Sequence, residues 1–260
     1  MDDKTGKEKA RIDVVLAARG LVTSRERARA LILAGRVLVN EQKVEKAGAL
    51  VLPDAAIRLL GDDLPYVSRG GLKLAAALDH WHIELNGRNC LDIGTSTGGF
   101  TDCLLQHGAA HVTAVDTGFG QIAMKLRNDA RVRLVERTNA RFLAPGALAE
   151  AGDRALTLLV MDVSFISATL LLEPVLRAAP GLQEGVILVK PQFEVGRGRV
   201  GKGGIVRDPE AQQEAVDKVA ACVQDLGWRV SGTILSPIKG VEGNQEYLLY
   251  ARREKADVEA

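Results

Sequence analysis

The segment Asp92-Ile93-Gly94-Thr95-Ser96-Thr97-Gly98-Gly99-Phe100 sets a carboxylate and three glycines where an apolar run gives way to a helical one. Glycines at such a turn let the backbone approach a ligand closely. The spacing from Gly94 to Gly98-Gly99 misses the G-x-G-x-x-G dinucleotide fingerprint. An aspartate at the strand end is a poor neighbour for pyrophosphate and a good one for a cation. S-adenosylmethionine carries an ammonium and a sulfonium and no phosphate, so the loop points to it. Asp92, Gly94, Thr97, Gly98, Gly99 and Phe100 are then the first candidate contacts. Asp116 closes the next apolar run, where acids bond ribose hydroxyls. Asn139, after the third run, is a candidate for the adenine edge.

Four further polar residues stand at strand ends or helix starts: Lys73, Asp162, Lys190 and Glu246. Taken singly, each reads as a surface charge or an ion pair. Lys190 is the least ordinary, because a lysine closing an apolar strand must pair or function. The stretch Gly196–Gly203 nearly matches a phosphate-binding P-loop. Gly203, however, stands where the magnesium-binding hydroxyl is needed, and the next helix starts only near Asp208. A flexible basic loop is the expectation for residues 196–204. Cys90, Cys103 and Cys222 are scattered, and only His80 and His82 of the four histidines lie close together, so no metal site is expected.

These residues need a frame. Apolar runs at 90–93, 111–115, 132–136, 155–162 and 185–190 alternate with helical segments, the pattern of parallel βαβ units. The runs WRVSGTIL and EYLLYAR then close the sequence as an antiparallel pair. The expected fold is α/β, Rossmann-like, with about seven strands. Ahead of it, Ile12–Ala18 reads as a helix ending at Gly20, and Thr23 with Glu26 as a capping box opening a second helix that Gly35 ends. RVLVN and LVLPDAAIRLL follow as short strands. From Lys9 to Lys46 nine basic residues face four acidic ones, an excess of five in a chain whose net charge is +1. A small basic α+β module on a mildly acidic body implies an anionic partner. The expected division is a module over 1–63, a linker over 64–71 with Gly70-Gly71 as a hinge, and the α/β domain over 72–260.

The order of two helices and a Gly-Arg-Val-Leu-Val-Asn strand over roughly residues 9–63 resembles the small RNA-binding module shared by a small-subunit ribosomal protein, pseudouridine synthases and tyrosyl-tRNA synthetases. The resemblance lays the second helix and the following turn against RNA phosphates, with Arg25, Arg29 and Arg36 as the contacts, since guanidinium suits phosphate. Lys73, Asp162, Lys190 and Glu246 match in turn the Lys-Asp-Lys-Glu tetrad of ribose 2′-O-methyltransferases of the FtsJ/RrmJ type. Their flanking words VSRGGLKL, MDVSFIS, LVKPQFEVG and GNQEYLL resemble those of the TlyA, or haemolysin A-like, family along nearly the whole chain.

That resemblance implies S-adenosylmethionine-dependent 2′-O-methylation of cytidine ribose in ribosomal RNA. A 2′-hydroxyl is a very weak acid, so a base must take its proton as it attacks the methyl group. Lys190 is the implied base, and repulsion from Lys73 and the sulfonium favours its neutral form. Asp162 and Glu246 would orient the lysines and the hydroxyl. Phe193 is either a base-stacking or a core residue. The partners implied are ribosomal RNA or ribosomal subunits.

Two other readings compete: a membrane-active haemolysin, from a label borne in the family, and an RNA-binding protein with a silent methyltransferase fold. Against the first, the sequence holds no apolar run of membrane-spanning length. Against the second stands the intact tetrad. With no signal-peptide pattern at the N-terminus, a soluble cytoplasmic protein is expected.

Overall fold

The computed structural model describes residues 9–22, 24–60, 64–149, 155–240 and 243–254. The chain separates into two compact units, Met1–Pro65 and Tyr66–Ala260.

The smaller unit runs β1 (Ala10–Arg11), α1 (Ile12–Ala18), α2 (Arg25–Leu33), β2 (Val37–Val39), β3 (Gln42–Lys43), β4 (Leu50–Val51) and β5 (Ile57–Leu59). Helix α2 begins behind Ser24, whose Oγ accepts the Arg27 N–H at 3.1 Å. Thr23 of the expected capping box, and residues 61–63 at the expected end of the module, lie outside the described residues. Gly35, at φ +66°, ends α2 as expected, and the Arg36 N–H reaches the Leu31 carbonyl. The single strand expected over 50–60 is in fact two, β4 and β5, which pair with different partners: β4 with β1, β5 with β2. Pro53 explains the break, because proline donates nothing to a strand ladder. Ile12, Leu16, Ile32 and Val37 fill the core of this unit.

The larger unit opens with α3 (Gly70–Trp81), then β6 (Asn89–Ile93), α4 (Gly99–Gln106), β7 (His111–Val115), α5 (Met124–Arg127) and β8 (Val132–Val135). It continues with β9 (Leu158–Met161), α6 (Thr169–Ala178), β10 (Glu184–Val189), α7 (Pro191–Glu194), α8 (Pro209–Asp225), β11 (Trp228–Leu235) and β12 (Tyr247–Arg253). All seven expected strands form one sheet in the order β11-β12-β10-β9-β6-β7-β8. β12 runs antiparallel to both its neighbours and the other contacts are parallel. Both faces are covered: Leu159 and Met161 pack with α6 and α8, while Leu158 and Val160 pack with α3 and α4. That is why β9 reads as an unbroken apolar run and not as an alternating one.

The glycine pair expected as a hinge forms the first turn of α3, two residues before the expected start, and neither residue has positive φ. Glycine is needed at Gly71 for closeness: a Cβ there would stand 2.3 Å from Cγ of Tyr66. A Cβ at Gly99 would likewise stand 2.3 Å from Ser68 Oγ, so residues 66–71 lie directly on the start of α4.

Candidate active site

The carboxyl ends of β6, β9 and β10 open on a cavity of about 620 Å³. Parallel sheets bind ligands at this edge because the strand-to-helix turns gather there. The glycine loop forms one wall through Gly94, Thr97, Gly99 and Phe100. Gly94 (φ +87°) and Gly98 (φ +96°) hold backbone conformations that a side chain resists. A Cβ at Gly94 would sit 2.5 Å from the Asp162 carbonyl oxygen, so the loop can rest on the end of β9 only as glycine.

All four candidate catalytic residues reach this cavity. Lys73 comes from the first turn of α3 and Glu246 from the residue before β12. Their Nζ and Oε2 atoms meet at 2.5 Å, with Lys73 8% and Glu246 2% exposed. A Cβ at residue 240 would lie 2.6 Å from Glu246 Oε1, which accounts for Gly240 on the wall. Lys190 follows β10 and Asp162 follows β9, on neighbouring strands. The Lys190 Nζ lies 2.6 Å from Asp162 Oδ1 and donates a hydrogen bond to Ser164 Oγ at 2.8 Å. Two lysine–carboxylate pairs thus share one cavity.

The cofactor candidates divide. Asp92 is fully buried at the end of β6 and is not part of the cavity wall. Its Oδ2 accepts the Thr101 hydroxyl at 2.6 Å, while Oδ1 has no hydrogen-bond partner. Burial pushes its carboxyl up to about 7, against the pull of the Thr101 hydrogen bond. Asp116 lies in an adjoining cleft with Ser96 and Gln121, its two oxygens accepting the N–H groups of Ser96 (2.8 Å) and Gly118 (2.6 Å). Asn139 borders neither space. It is exposed, and its side chain caps a short 3-10 turn by accepting the Arg141 N–H.

The loop expected to be flexible is tied down in part. Arg199 pairs with Asp208 and Glu214, and buried Asn244 binds the Val206 N–H and the Gly204 carbonyl. Val200 and Gly204 thereby become cavity wall. Arg69, Ser164, Phe165 and Lys239, which the sequence does not single out as site residues, line the same space. The MDVSFIS word held the signal for two of them. Phe165 is 92% exposed at φ +66°, its ring 5.5 Å from that of Phe193. An aromatic ring kept both strained and wet points to a contact beyond the chain.

In the small unit the three arginine candidates are not equivalent. Arg25 and Arg29, with Arg11, converge on Asp13, whose side chain is wholly buried. Their hydrogen bonds, that from Arg11 foremost, hold the Asp13 carboxyl well below the usual range. Each arginine side chain stays about half exposed (48%, 51% and 50%), so the cluster forms a cationic array at the surface of this unit. Arg36 instead spends its Nε on the Leu60 carbonyl at 2.8 Å. Among the described residues no acid, histidine and cysteine cluster could hold a metal ion, and no helix is long and apolar enough to cross a membrane.

Comparison with known proteins matches residues 66–253 to the FtsJ-like methyltransferase family and residues 10–57 to the S4 domain. The chain is 46% identical over 247 residues to the 16S/23S rRNA (cytidine-2′-O)-methyltransferase TlyA of Mycobacterium tuberculosis, covering 95% of this chain and 91% of that one. It is 40% identical to Hemolysin A of Brachyspira hyodysenteriae, covering 92% and 98% of the two chains. A solved structure of a provisionally named hemolysin from Streptococcus thermophilus superposes with a TM-score of 0.72 at 39% identity, covering 97% of this chain and 92% of that one.

Proposed function

This chain belongs to the FtsJ-like methyltransferase family, with the S4 domain and full-length likeness of its TlyA members, and from that premise we propose that it methylates cytidine 2′-hydroxyls in ribosomal RNA. The observation that carries the reading is the meeting of Lys73, Asp162, Lys190 and Glu246 on one cavity beside the glycine loop.

S-adenosylmethionine fits the donors present. The carboxylate of Asp116 lines the adjoining cleft, that of Asp92 is buried at the end of β6, and the glycine loop between them carries no phosphate-binding cation, which suits a ligand with ammonium and ribose groups. The unpartnered Oδ1 of Asp92 is a buried acceptor that the ligand's cationic end would compensate. When bound, the cofactor supplies a methyl group activated by a positive sulfur.

The chain's own residues do the rest. Lys190, held by Asp162 and Ser164, receives the proton of the 2′-hydroxyl at Nζ. Lys73, paired with Glu246 on the same cavity, offers its ammonium N–H dipoles to steady the developing oxyanion. Phe165 and Phe193 offer ring faces on which the target base stacks, and the Asp13-centred arginines grip phosphates.

The test is transfer of labelled methyl from S-adenosylmethionine to ribosomal subunits lacking the modification, followed by mapping of the modified ribose. Absence of transfer together with lysis of erythrocytes would favour the haemolysin reading. Methylation of a base nitrogen or carbon would sink the 2′-hydroxyl assignment.

A further inference from the structure

A lysine amine on a flexible stem is a poorly aimed base, and the tetrad alone does not say what aims it. The Lys190 Nζ lies close to Asp162 Oδ1, yet that oxygen has no hydrogen-bond partner of acceptable geometry. The directed bond from Nζ goes to Ser164 Oγ, at 2.8 Å. Asp162 therefore supplies charge and Ser164 supplies direction.

We infer that Ser164 is a positioning residue for methyl transfer, its hydroxyl fixing the rotation of the Lys190 amine so that the nitrogen lone pair faces the substrate hydroxyl. This rests on the reading of Lys190 as the base. A neutral amine has two N–H bonds and one lone pair around a tetrahedral nitrogen. Committing one N–H to Ser164 removes free rotation about the Cε–Nζ bond and restricts where the lone pair points. Ser164 accepts this bond and keeps its own proton. The substrate proton moves to Nζ as the oxygen–methyl bond forms and the methyl–sulfur bond breaks.

The surroundings hold both partners still. Lys190 is 8% exposed and stands between buried β10 and Pro191, the first residue of α7. The loop carrying Ser164 is fastened to that same helix, because Glu194 accepts the Ala168 N–H at 2.7 Å and the Ser167 hydroxyl at 2.5 Å. Lys218 compensates Glu194 at 3.3 Å. The other charged residues on this cavity are Asp162 beside the amine, the Lys73–Glu246 pair, Arg69 and Lys239. Ser164 Oγ is the acceptor to which Nζ makes a hydrogen bond of good geometry.

The test uses the full chain with unmodified ribosomal subunits, comparing Ser164→Ala, Ser164→Thr and Lys190→Arg in single-turnover methyl transfer across pH. Ser164→Ala should slow the step roughly 10- to 100-fold. S-adenosylmethionine affinity, measured by calorimetry, should stay within about twofold of wild type, since the loss lies in aim and not in binding. The rising limb of its pH profile should move to lower pH, because the ammonium form loses an acceptor. Ser164→Thr, which keeps the hydroxyl, should recover most of the rate. A wild-type rate in Ser164→Ala overturns the proposal, as does a slow variant with an unmoved limb and no rescue by threonine. Near-normal turnover by Lys190→Arg removes the base reading itself. An inactive Lys190→Arg beside an unaffected Ser164→Ala removes only the role of Ser164.

Discussion

Lys73 and Glu246 stand 173 residues apart in the chain and meet at 2.5 Å, both buried. A pair like this joins stability to chemistry, because neither charge tolerates burial alone.

Removing one partner should therefore destabilise the larger unit by about 3–5 kcal/mol, in Lys73→Met or Glu246→Gln alike. The double variant Lys73→Met with Glu246→Leu should regain much of that loss, because two apolar side chains replace a pair costly to desolvate. Denaturant titration gives the stabilities and methyl transfer the activities. Recovery of folding without recovery of transfer would separate the pair's two roles. A double variant as active as wild type would make it structural only.

Lys190→Ala should abolish transfer while leaving cofactor affinity nearly intact, since its contacts are Asp162 and Ser164 and not the glycine loop. Lys190→Arg should fail too, because a guanidinium stays protonated. Calorimetry and single-turnover kinetics on the same preparations check both.

Asp92 should give cofactor binding a pH dependence. Its carboxyl is pushed up to about 7 by burial, so the folded chain keeps this proton above the pH at which an unfolded aspartate loses it. Its contribution to stability therefore falls as pH rises from about 4 to 7, and does not change beyond. A cation bound nearby favours the carboxylate, so affinity for S-adenosylmethionine should rise toward pH 7 and level off, by at most about tenfold per pH unit. Asp92→Asn should flatten the curve. An unchanged curve in that variant would assign the dependence to another group.

Asp13→Asn should weaken RNA binding although it raises the net positive charge by one. The three guanidiniums around it lose their common anchor, and an array bonds phosphates better than mobile charges do. Tighter binding would mean that charge count governs this face. Arg25→Ala with Arg29→Ala should lower affinity and flatten its salt dependence, as loss of phosphate contacts requires.

The sheet was legible because its strands are buried on both faces and therefore read as apolar runs, Leu158–Met161 most plainly. Lys190 was legible for the matching reason, a charge at the end of such a run. What the sequence hid depends on approach between distant segments. Ser164 is an ordinary loop serine until β9 and β10 lie side by side, and Gly71 looks like a hinge until Tyr66 occupies the space its side chain would need. Asn139 shows the same limit from the other side: its place after a strand suits a ligand contact, and the fold adds only that its Oδ1 also caps its own turn. The arginines of α2 looked like free charges because Asp13, twelve residues before Arg25, lies on a different helix.

The strand order carries a consequence for biosynthesis. β12 is made after every other strand, yet it sits inside the sheet, between β10 and β11. While the nascent chain emerges, β10 is left with an open edge and β11 with no neighbour, and Lys73 waits without its carboxylate. Threading β12 into that gap seals the sheet and delivers Glu246 in the same event. Until that strand is in place, a nascent chain therefore lacks both the middle of this sheet edge and the carboxylate that meets Lys73.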